Sequence, residues 1–363
     1  MAPVWMALRA ATDIFDTRVV VTAQHRGMLD QALRDFALTP DYDLNVMRDN
    51  QDLFHISVQA LTGMKSVMDE YQPDCVLVQG DTTTTFIGAL AAFYKRTLIG
   101  HVEAGLRTYN KYSPYPEEIN RRLTGCLADL HFAPTERARH NLLDEGVAAD
   151  SIEVTGNTGI DALLWILVNR PAGFSHVLSA RTQQAVEGRF ILLTTHRRES
   201  FGPPLQETLR AVDEIAVRFP EVHIVFPVHP NPNVRQQAHE RLAARSNIHL
   251  IEPLDYVNFS HLMNRAEIIL TDSGGVQEEA PSLSKPVLVL RETTERPEGV
   301  EAGVARLVGT NRGLIVEEVS RLLTDPSYRD SMTGRPNPYG DGQAATRIVR
   351  LLNQRLMTVA GPA

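Results

Sequence analysis

The residues with the clearest chemical potential lie at 271–286, TDSGGVQEEAPSLSKP, directly after the apolar run AEIIL. The run predicts a strand, Ser273-Gly274-Gly275 a tight turn, and the following segment a helix. Glycines let a ligand approach the backbone, and N–H groups at a helix start can bind phosphate without Lys or Arg. Glu279, one turn into the helix, could accept hydrogen bonds from sugar hydroxyls. Taken alone, the turn is equally compatible with simple helix capping by Ser273.

In the N-terminal half of the chain, two carboxylates lie at or near the ends of predicted strands. Asp81 closes VLVQGD, where it either faces a ligand or acts as the N-cap of the next helix. Glu103 falls within the predicted strand TLIGHVEA, two residues after His101. Burying an unpaired carboxylate is costly, so Glu103 either pairs with Arg107 or a histidine or faces a cleft. We favour the cleft.

Other ionisable residues begin a helix or follow a strand. Glu117 falls in the first turn of a helix that starts at Pro116, which is an ordinary place for a carboxylate. A single histidine after a strand is more often structural than catalytic, but two such histidines facing one turn would suit a diphosphate. The candidates that follow predicted strands of the C-terminal half are His196, Arg197, His229 and Arg296.

Length and composition limit the classes of function. A chain of 363 residues exceeds one ordinary core and suits two domains. The net charge of −8, with no basic block, argues against nucleic acid as a partner, so an anionic ligand must be bound by local Arg, His and N–H groups. Cys75 and Cys126 lack metal-binding spacing, and the longest apolar run, 162–168, is too short to span a bilayer. We expect a reduced cytoplasmic protein with neither a thiolate-bound metal nor a membrane partner.

Predicted strands and helices alternate along the chain, and the strands are continuous runs of Val, Ile and Leu, as in buried parallel sheets. We therefore expect an α/β protein of two Rossmann-like, doubly wound domains facing a central cleft, with ligands at the carboxyl ends of the strands. The expected division is residues 1–165, residues 166–340 and a C-terminal helix, 341–363, that packs back on the first domain. MAPVWMALRA has helical spacing and precedes the first convincing strand, RVVVTA, so a first strand is expected upstream of Met1.

Several long motifs resemble those of the bacterial non-hydrolysing UDP-N-acetylglucosamine 2-epimerases. They are GDTTTT, GHVEAGLRT, YSPYPEE, HRRES, PVHPNPNVR, TDSGGVQEEAPSLSKPVLVLRETTERPE and NPYGDG, and the resemblance extends from Met1 to Arg350. It implies the B-type glycosyltransferase architecture, with UDP bound mainly by the C-terminal domain, and a homodimer. It also implies reversible conversion of UDP-N-acetylglucosamine to UDP-N-acetylmannosamine for polysaccharide synthesis, by elimination of UDP to a 2-acetamidoglucal and re-addition. Neither a nicotinamide cofactor nor a metal is implied.

Position by position, the resemblance assigns roles to single residues. Asp81, Glu103 and Glu117 match the family's catalytic carboxylates, with base and acid left open, and His196 matches an important histidine near UDP. Phe259 matches the position where the uracil packs, with a place in the helix core as the alternative, and Glu279 matches the ribose-binding carboxylate. The full set expected to bind UDP is Arg197, Phe259, Ser273, Gly274, Gly275, Glu279 and Arg296.

The family also binds substrate at a second, activating site. Gly27 and Asn50 replace polar or cationic residues found at that site in some members, so we expect activation to be weaker or absent. The residues that match positions linked to this site are Gln24, His25, Glu117 and His229.

The largest departure from the family is at the N-terminus. Members carry a strand and a loop of the form GTRPEAIK before the position of Met1, and that loop supplies an Arg and a Lys that face the substrate. We expect the true start to lie upstream and the chain as written to be inactive or unstable. The alternatives to an active epimerase are a regulatory nucleotide-sugar binder, a UDP-sugar glycosyltransferase and a hydrolysing epimerase.

Overall fold

A computed structural model describes residues 1–23, 26–48, 52–195, 197 and 202–359. The chain divides into two compact units, Met1–Ala162 with Gly340–Ala363, and Leu163–Tyr339. Four residues singled out in the sequence lie outside the described residues: Gln24, His25, Asn50 and His196.

The first unit alternates helices and strands from its start. In chain order it contains α1 (Ala2–Ala10), β1 (Val20–Val21), α2 (Arg26–Asp35), β2 (Tyr42–Asp43), α3 (Leu53–Tyr71), β3 (Cys75–Gln79), α4 (Thr83–Lys95), β4 (Leu98–Val102), α5 (Glu117–Leu127), β5 (Leu130–Ala133), α6 (Glu136–Asp144) and β6 (Ile152–Val154). The chain passes into the second unit within α7 (Thr158–Asn169).

The second unit has the same alternation. It contains α8 (Phe174–Val177), α9 (Ala180–Glu187), β7 (Phe190–Thr194), α10 (Pro203–Arg218), β8 (His223–Pro227), α11 (Pro232–Leu242), β9 (Ile248–Ile251), α12 (Tyr256–Arg265), β10 (Ile268–Thr271), α13 (Gly274–Glu279), β11 (Val287–Val289), α14 (Pro297–Glu301), β12 (Ala305–Leu307), α15 (Arg312–Thr324) and α16 (Pro326–Thr333). The chain then returns to the first unit as α17 (Ala344–Val359).

The sheet of the second unit is parallel throughout, in the order β9-β8-β7-β10-β11-β12. Numbered along the chain this is 3-2-1-4-5-6, the Rossmann order, which reverses between β7 and β10. β7 and β10 are buried apolar runs, because helices cover the two faces of the sheet. Ligands of such sheets bind beyond the carboxyl ends of the strands at the reversal, which places the Ser273 turn there.

The first unit contains a four-stranded parallel sheet, β3-β4-β5-β6, and a separate two-stranded parallel sheet, β1-β2. A cavity of about 680 Å³ is lined by residues of both sheets, among them Val20 and Leu77, and by helical residues such as Met64. Helices α1 and α17 pack together in an apolar cluster that also contains Phe132 of β5. The Asp161 carboxylate accepts hydrogen bonds from the first backbone N–H groups of α17, at 3.2 and 2.8 Å, which fixes where that helix begins.

The structure corrects several expected boundaries. β4 ends at Val102, so Glu103 lies just after the strand and not inside it. The helix after the glycine turn is shorter than expected, because Pro281 lacks an N–H and the chain continues from Glu279 as a 3₁₀ turn. Between α7 and β7 the chain forms the two short helices α8 and α9. The expectations also missed β2, β12 and the helices α14, α15 and α16.

None of the helices within the described part of the chain combines the length and the apolar character needed to cross a membrane.

Two glycines with positive φ provide a matched test of packing in the first unit. At Gly105 (φ +91°) a Cβ would lie 2.2 Å from the backbone carbonyl oxygen of Ala138, whereas at Gly146 (φ +84°) no atom lies within 4 Å. Left-handed backbone alone costs an alanine about 1–2 kcal/mol, and overpacking adds about 1–3 kcal/mol. We expect Gly105→Ala to lower the free energy of unfolding by about 2 kcal/mol more than Gly146→Ala, measured by chemical denaturation. Equal losses would contradict the close packing of α6 against this turn.

Candidate functional site

The Ser273 turn follows β10 directly. Ser273 is the N-cap residue of α13, but its side chain makes no capping hydrogen bond. Its backbone N–H donates to Oγ1 of Thr271 at 2.9 Å, which orients the turn. Apart from the adjoining backbone, no atom of the described residues lies within 4 Å of the position that a Cβ of Gly275 would occupy. The described residues therefore leave space above the turn, where a ligand atom could approach the backbone.

Two guanidinium groups converge on Gly274. A Cβ at this position would lie 3.8 Å from Nη2 of Arg197 and 3.8 Å from Nη2 of Arg296. Oδ2 of the fully buried Asp272 accepts hydrogen bonds from the Arg197 backbone N–H at 2.9 Å and from Oγ1 of Thr195 at 3.0 Å. The residues that follow β7 and β10 are thus tied together, and the two arginines expected to bind UDP, Arg197 and Arg296, both lie at the predicted turn.

Carboxylates hold these guanidinium groups in place. Nε of Arg296 donates to Oε1 of Glu278, and Arg291 donates to both oxygens of Glu295 at 2.8 and 3.2 Å. Nη2 of Arg197 lies 3.8 Å from Oε2 of Glu295. The hydrogen bonds from Arg291, with the nearby charges of Arg197 and Arg296, lower the pKa of Glu295 to about 2. Glu295 therefore stays ionised at neutral pH and keeps the cationic side chains oriented.

Glu279 makes a contact of a different kind. Its Oε1 accepts a hydrogen bond from the hydroxyl of Tyr256 at 3.0 Å. Burial, opposed by the hydrogen bond from Tyr256 and aided by the charge of Glu278, raises the pKa of Glu279 to about 7. Burial and the same carboxylate also raise the pKa of Tyr256. A hydroxyl-rich ligand that donates to Glu279 would favour the ionised form.

The other two candidates of the second unit are Phe259 and His229. Phe259 lies on α12 and is half-buried, packed against the apolar cluster that includes Leu262 and Ile269. His229 follows β8, and its Nδ1 accepts a hydrogen bond from the backbone N–H of Asn231 at 3.2 Å, so Nδ1 carries no proton there. The position of Phe259 is compatible with both roles considered for it, packing against the uracil and a place in the helix core.

Asp81 follows β3 in the first unit. Thr82, and not Asp81, is the N-cap of α4, where its side chain accepts from the backbone N–H of Thr85. The capping alternative for Asp81 is therefore wrong. Its carboxylate instead accepts a hydrogen bond from Nη2 of Arg121, and its backbone carbonyl accepts one from Nδ2 of Asn120 at 3.0 Å.

Glu103 adopts a positive φ of +64°, an uncommon conformation for a glutamate. Its Oε2 approaches Gly80, where it would lie 3.2 Å from a Cβ, so the residue before Asp81 must be a glycine with φ +75°. Arg107, which was one alternative partner for Glu103, binds both oxygens of Glu145 at 2.9 and 2.7 Å.

His101 supports the same turn from within β4. Its Nε2 donates to the backbone carbonyl of Gly80 at 2.8 Å, so this nitrogen carries the ring proton. Burial lowers the pKa of His101 to about 4, and the ring is neutral at physiological pH. His101 is therefore a support for the turn that carries Asp81.

Glu117 and Glu118 occupy the first turn of α5, as the sequence predicts. Oε2 of Glu117 is buried and makes no hydrogen bond with a described residue. Glu118 is fully buried, and its carboxylate accepts from the backbone N–H groups of Thr108 at 3.0 Å and Tyr109 at 3.1 Å. Within the described residues the two neighbouring carboxylates thus differ, because Glu118 accepts hydrogen bonds from the protein and Oε2 of Glu117 accepts none.

Sequence reasoning missed three residues that organise these sites: Arg121, Tyr256 and Asp272. Arg121 lies four residues after Glu117 and three after Glu118, a spacing that places all three on one helix face and could have identified it. Tyr256 and Asp272 have no such local signal, since their partners are 23 and 75 to 77 residues away. Across the described residues, no three His, Cys, Asp or Glu side chains are grouped as a metal site would require.

Known proteins share this architecture over nearly the whole chain. The model of the UDP-N-acetylglucosamine 2-epimerase family matches residues 7–353. The UDP-N-acetylglucosamine 2-epimerase of Yersinia pestis is 53% identical over 362 residues, or 99% of this chain and 96% of that protein, and that of Bacillus subtilis is 53% identical over 352 residues, or 97% and 91%. The crystal structure of the Neisseria meningitidis enzyme bound to UDP-GlcNAc superimposes with a TM-score of 0.84, at 46% identity, over 98% of this chain and 96% of that one.

The protein is an isomerase that acts on nucleotide sugars, and it has an α/β fold with a parallel sheet in each of two units. The fold, the candidate site and the similar proteins all support this class. The chain belongs to the UDP-N-acetylglucosamine 2-epimerase family. The resemblance, the α/β fold class and the isomerase activity predicted from the sequence are thereby confirmed. The transferase and regulatory-binder alternatives are not favoured.

The raised pKa of Glu279 predicts a pH-dependent effect on stability. Because the folded protein binds this proton more tightly than the unfolded chain, protonated Glu279 stabilises the fold. This stabilisation is fully present below pH 4.5, the ordinary pKa of a glutamate, and is lost as pH rises through about 7, the pKa in the folded protein. Glutamine cannot ionise, and its amide oxygen can still accept from Tyr256. We expect Glu279→Gln to raise the free energy of unfolding by roughly 1–3 kcal/mol at pH 8 and by much less at pH 5.

The measurement for Glu279→Gln is chemical denaturation at both pH values. Glu317→Gln is the matched control, because Glu317 is exposed on α15 of the same unit. An equal effect of Glu279→Gln at the two pH values, or a loss of stability at pH 8, would contradict the raised pKa.

Proposed function

We propose that the chain interconverts UDP-N-acetylglucosamine and UDP-N-acetylmannosamine, with UDP bound by the second unit and protons moved by carboxylates of the first. The main support in the structure is the open glycine turn with two converging guanidinium groups, at the point where the strand order of the second unit reverses. The Neisseria relative is described as bound to UDP-GlcNAc, which is the ligand that such a site would take.

Within the second unit, the residue types match the parts of UDP. Backbone N–H groups of Ser273, Gly274 and Gly275 and the guanidinium groups of Arg197 and Arg296 bind the diphosphate, since planar guanidinium groups suit phosphate oxygens. His196 acts near the same group. Glu279 accepts hydrogen bonds from the ribose hydroxyls, and Phe259 packs against the uracil.

The chemistry explains why carboxylates are needed in the first unit. No carbonyl group acidifies the C2 proton, so the C1–O bond breaks first, its electron pair leaves on UDP, and positive charge develops on the ring. A base then removes the C2 proton, and the C–H electron pair forms the C1–C2 double bond of 2-acetamidoglucal. Carboxylates stabilise the positive charge and accept the proton.

The reverse steps require a second proton-transferring group. UDP adds back to C1, and because only C2 is inverted, its new proton must arrive on the face opposite to the one that lost it. One carboxylate cannot reach both faces of a bound sugar. The proton transfers and the stabilisation of positive charge are shared by Asp81, Glu103 and Glu117. Oε2 of Glu117 is buried and accepts no hydrogen bond from a described residue.

Further proposals concern assembly and regulation. The enzyme is a cytoplasmic homodimer that supplies a precursor for cell-surface polysaccharide, and it uses neither a metal nor a nicotinamide cofactor. A second molecule of UDP-N-acetylglucosamine binds near Gln24, His25, Glu117 and His229 and activates it, more weakly than in members that have polar or cationic residues in place of Gly27 and Asn50.

Proton exchange tests the proposed reaction directly. The natural protein is incubated with UDP-N-acetylglucosamine alone in D₂O and followed by NMR. We expect both UDP-sugar epimers with deuterium at C2, without acceptor. Free N-acetylmannosamine with UDP would indicate a hydrolysing enzyme, and binding of substrate without exchange would overturn the proposal in favour of a regulatory binder.

Variants of the three carboxylates refine this test. We expect Asp81→Asn, Glu103→Gln and Glu117→Gln each to lower kcat by about 10²–10⁴-fold, as for lost proton transfer. Glu136→Gln, which changes an exposed glutamate on α6 of the same unit, should retain wild-type kcat. Wild-type kcat in any of the three would remove that residue from the proposed mechanism.

The proposed diphosphate contacts predict a loss of UDP affinity. A hydrogen bond to a charged group contributes about 1.5–3 kcal/mol, so Arg197→Gln and Arg296→Gln should each weaken UDP binding by about 10–100-fold in calorimetry at fixed salt. Arg312→Gln is the control, because Arg312 is an exposed arginine of the same unit that pairs with Glu214. Unchanged affinity in both test variants would place the diphosphate elsewhere.

A further inference from the structure

Arg121 of the first unit contacts two carboxylates at once. Its Nη2 donates to Oδ2 of Asp81, and its Nη1 lies 3.3 Å from Oε2 of Glu118. The Arg121 side chain is 11% exposed and that of Glu118 only 1%. The Arg121 guanidinium has little conformational freedom, because it is shared between two carboxylates and largely shielded from water. Both carboxylates are therefore fixed relative to α5.

The geometry points to Arg121 as a positioning residue, which holds the Asp81 carboxylate for proton transfer and connects it through Glu118 to the backbone at Thr108 and Tyr109. The inference rests on the proposed role of Asp81 in the epimerase reaction. Arg121 itself needs no contact with the sugar.

Arg121 is the described side chain that orients the Asp81 carboxylate. The backbone around Asp81 is already fixed by other bonds, from Asn120 to the Asp81 carbonyl and from His101 to the Gly80 carbonyl. The carboxylate extends beyond this turn and can still rotate about its side-chain bonds. Oδ2 is bound by Arg121, whereas Oδ1 accepts no hydrogen bond from a described residue, and the side chain is 28% exposed. Arg121 thus leaves one oxygen of Asp81 free to face a substrate proton in a single orientation.

Glu118 extends this arrangement to the segment that follows Glu103. Its two oxygens accept from the backbone N–H groups of Thr108 and Tyr109, at 3.0 and 3.1 Å. A buried carboxylate with two N–H donors and one guanidinium is fully satisfied, so it fixes this backbone firmly. Arg121 therefore connects the residues that follow β3 with those that follow β4, the strands after which Asp81 and Glu103 lie.

A displacement of the reacting group by about 1 Å can lower the rate about 10²-fold, while substrate bound by distant groups stays bound. We therefore expect Arg121→Gln to lower kcat for epimerisation by about 10²-fold, with KM for UDP-N-acetylglucosamine changed by less than about 3-fold. Arg121→Lys keeps the charge without the planar fork and should recover about 10-fold of the lost kcat. Arg122→Gln is the matched control, since Arg122 is the next residue of α5, is 48% exposed and lies near Glu145.

Glu118→Gln tests the connection through Glu118. We expect a loss in kcat of about 10-fold, and the double variant with Arg121→Gln should lose less than the product of the two single losses, because both changes disturb one network. UDP affinity, measured by calorimetry, should match the wild type in every variant and serves as the check on folding, since the proposed UDP contacts lie in the second unit.

The outcomes separate this inference from the proposed function. If the wild type and Arg122→Gln both lack turnover, the proposed function fails and the inference fails with it. If the wild type turns over and Arg121→Gln has the same kcat, the inference alone is overturned. A raised KM at unchanged kcat, a lowered UDP affinity, or no recovery with lysine would each assign Arg121 a merely structural or binding role and overturn it as well.

Discussion

The second unit depends on the hydrogen bonds that Oδ2 of Asp272 accepts. Asp272 is fully buried after β10 and binds the Thr195 hydroxyl and the Arg197 backbone N–H after β7. These are the two strands between which the sheet order reverses, so the bonds join its halves at the point where a ligand binds. A buried carboxylate that lost these donors would be strongly destabilising. The position of Arg197 beside Gly274 follows from this one interaction.

In the first unit, the Arg121 guanidinium offsets the repulsion between neighbouring carboxylates. Carboxylates that act on a sugar must be near one another and yet remain ionised or exchange protons under control, although like charges repel at short range. Arg121 lies between Asp81 and Glu118 and offsets both charges. His101, neutral because of burial, supports the same turn without adding charge. The turn before Asp81 favours glycine at position 80, because its φ is +75°, and a Cβ there would also lie close to the Glu103 carboxylate, at 3.2 Å.

The fold could be predicted from the sequence largely because its strands are unbroken apolar runs separated by amphipathic helices such as α12. The short strands β2 and β12 could not be predicted in this way. β2 contains only Tyr42 and Asp43, and β12 only Ala305 to Leu307, and strands of two or three residues have too little periodicity to recognise. The candidate residues were found because strand ends and long motifs mark them. Asp272 and Tyr256 were missed because their importance arises from partners brought close only by the fold.

The net charge of −8 opposes the approach of an anionic substrate, but the arrangement of charges around the glycine turn offsets this locally. Each guanidinium near Gly274 is held by a carboxylate, Arg296 by Glu278 and Arg197 beside Glu295, so the acidic residues fix the orientation of the cations. A phosphate arriving at the turn meets preoriented donors, and little entropy is lost in ordering them. Glu279 lies one residue beyond this group with a pKa raised to about 7, so at neutral pH it is only partly ionised until hydroxyl donors favour its charge. With Glu279 in its proposed role as the acceptor of the ribose hydroxyls, nucleotide binding and ionisation of Glu279 are coupled, and the affinity for UDP should increase as pH rises through 7.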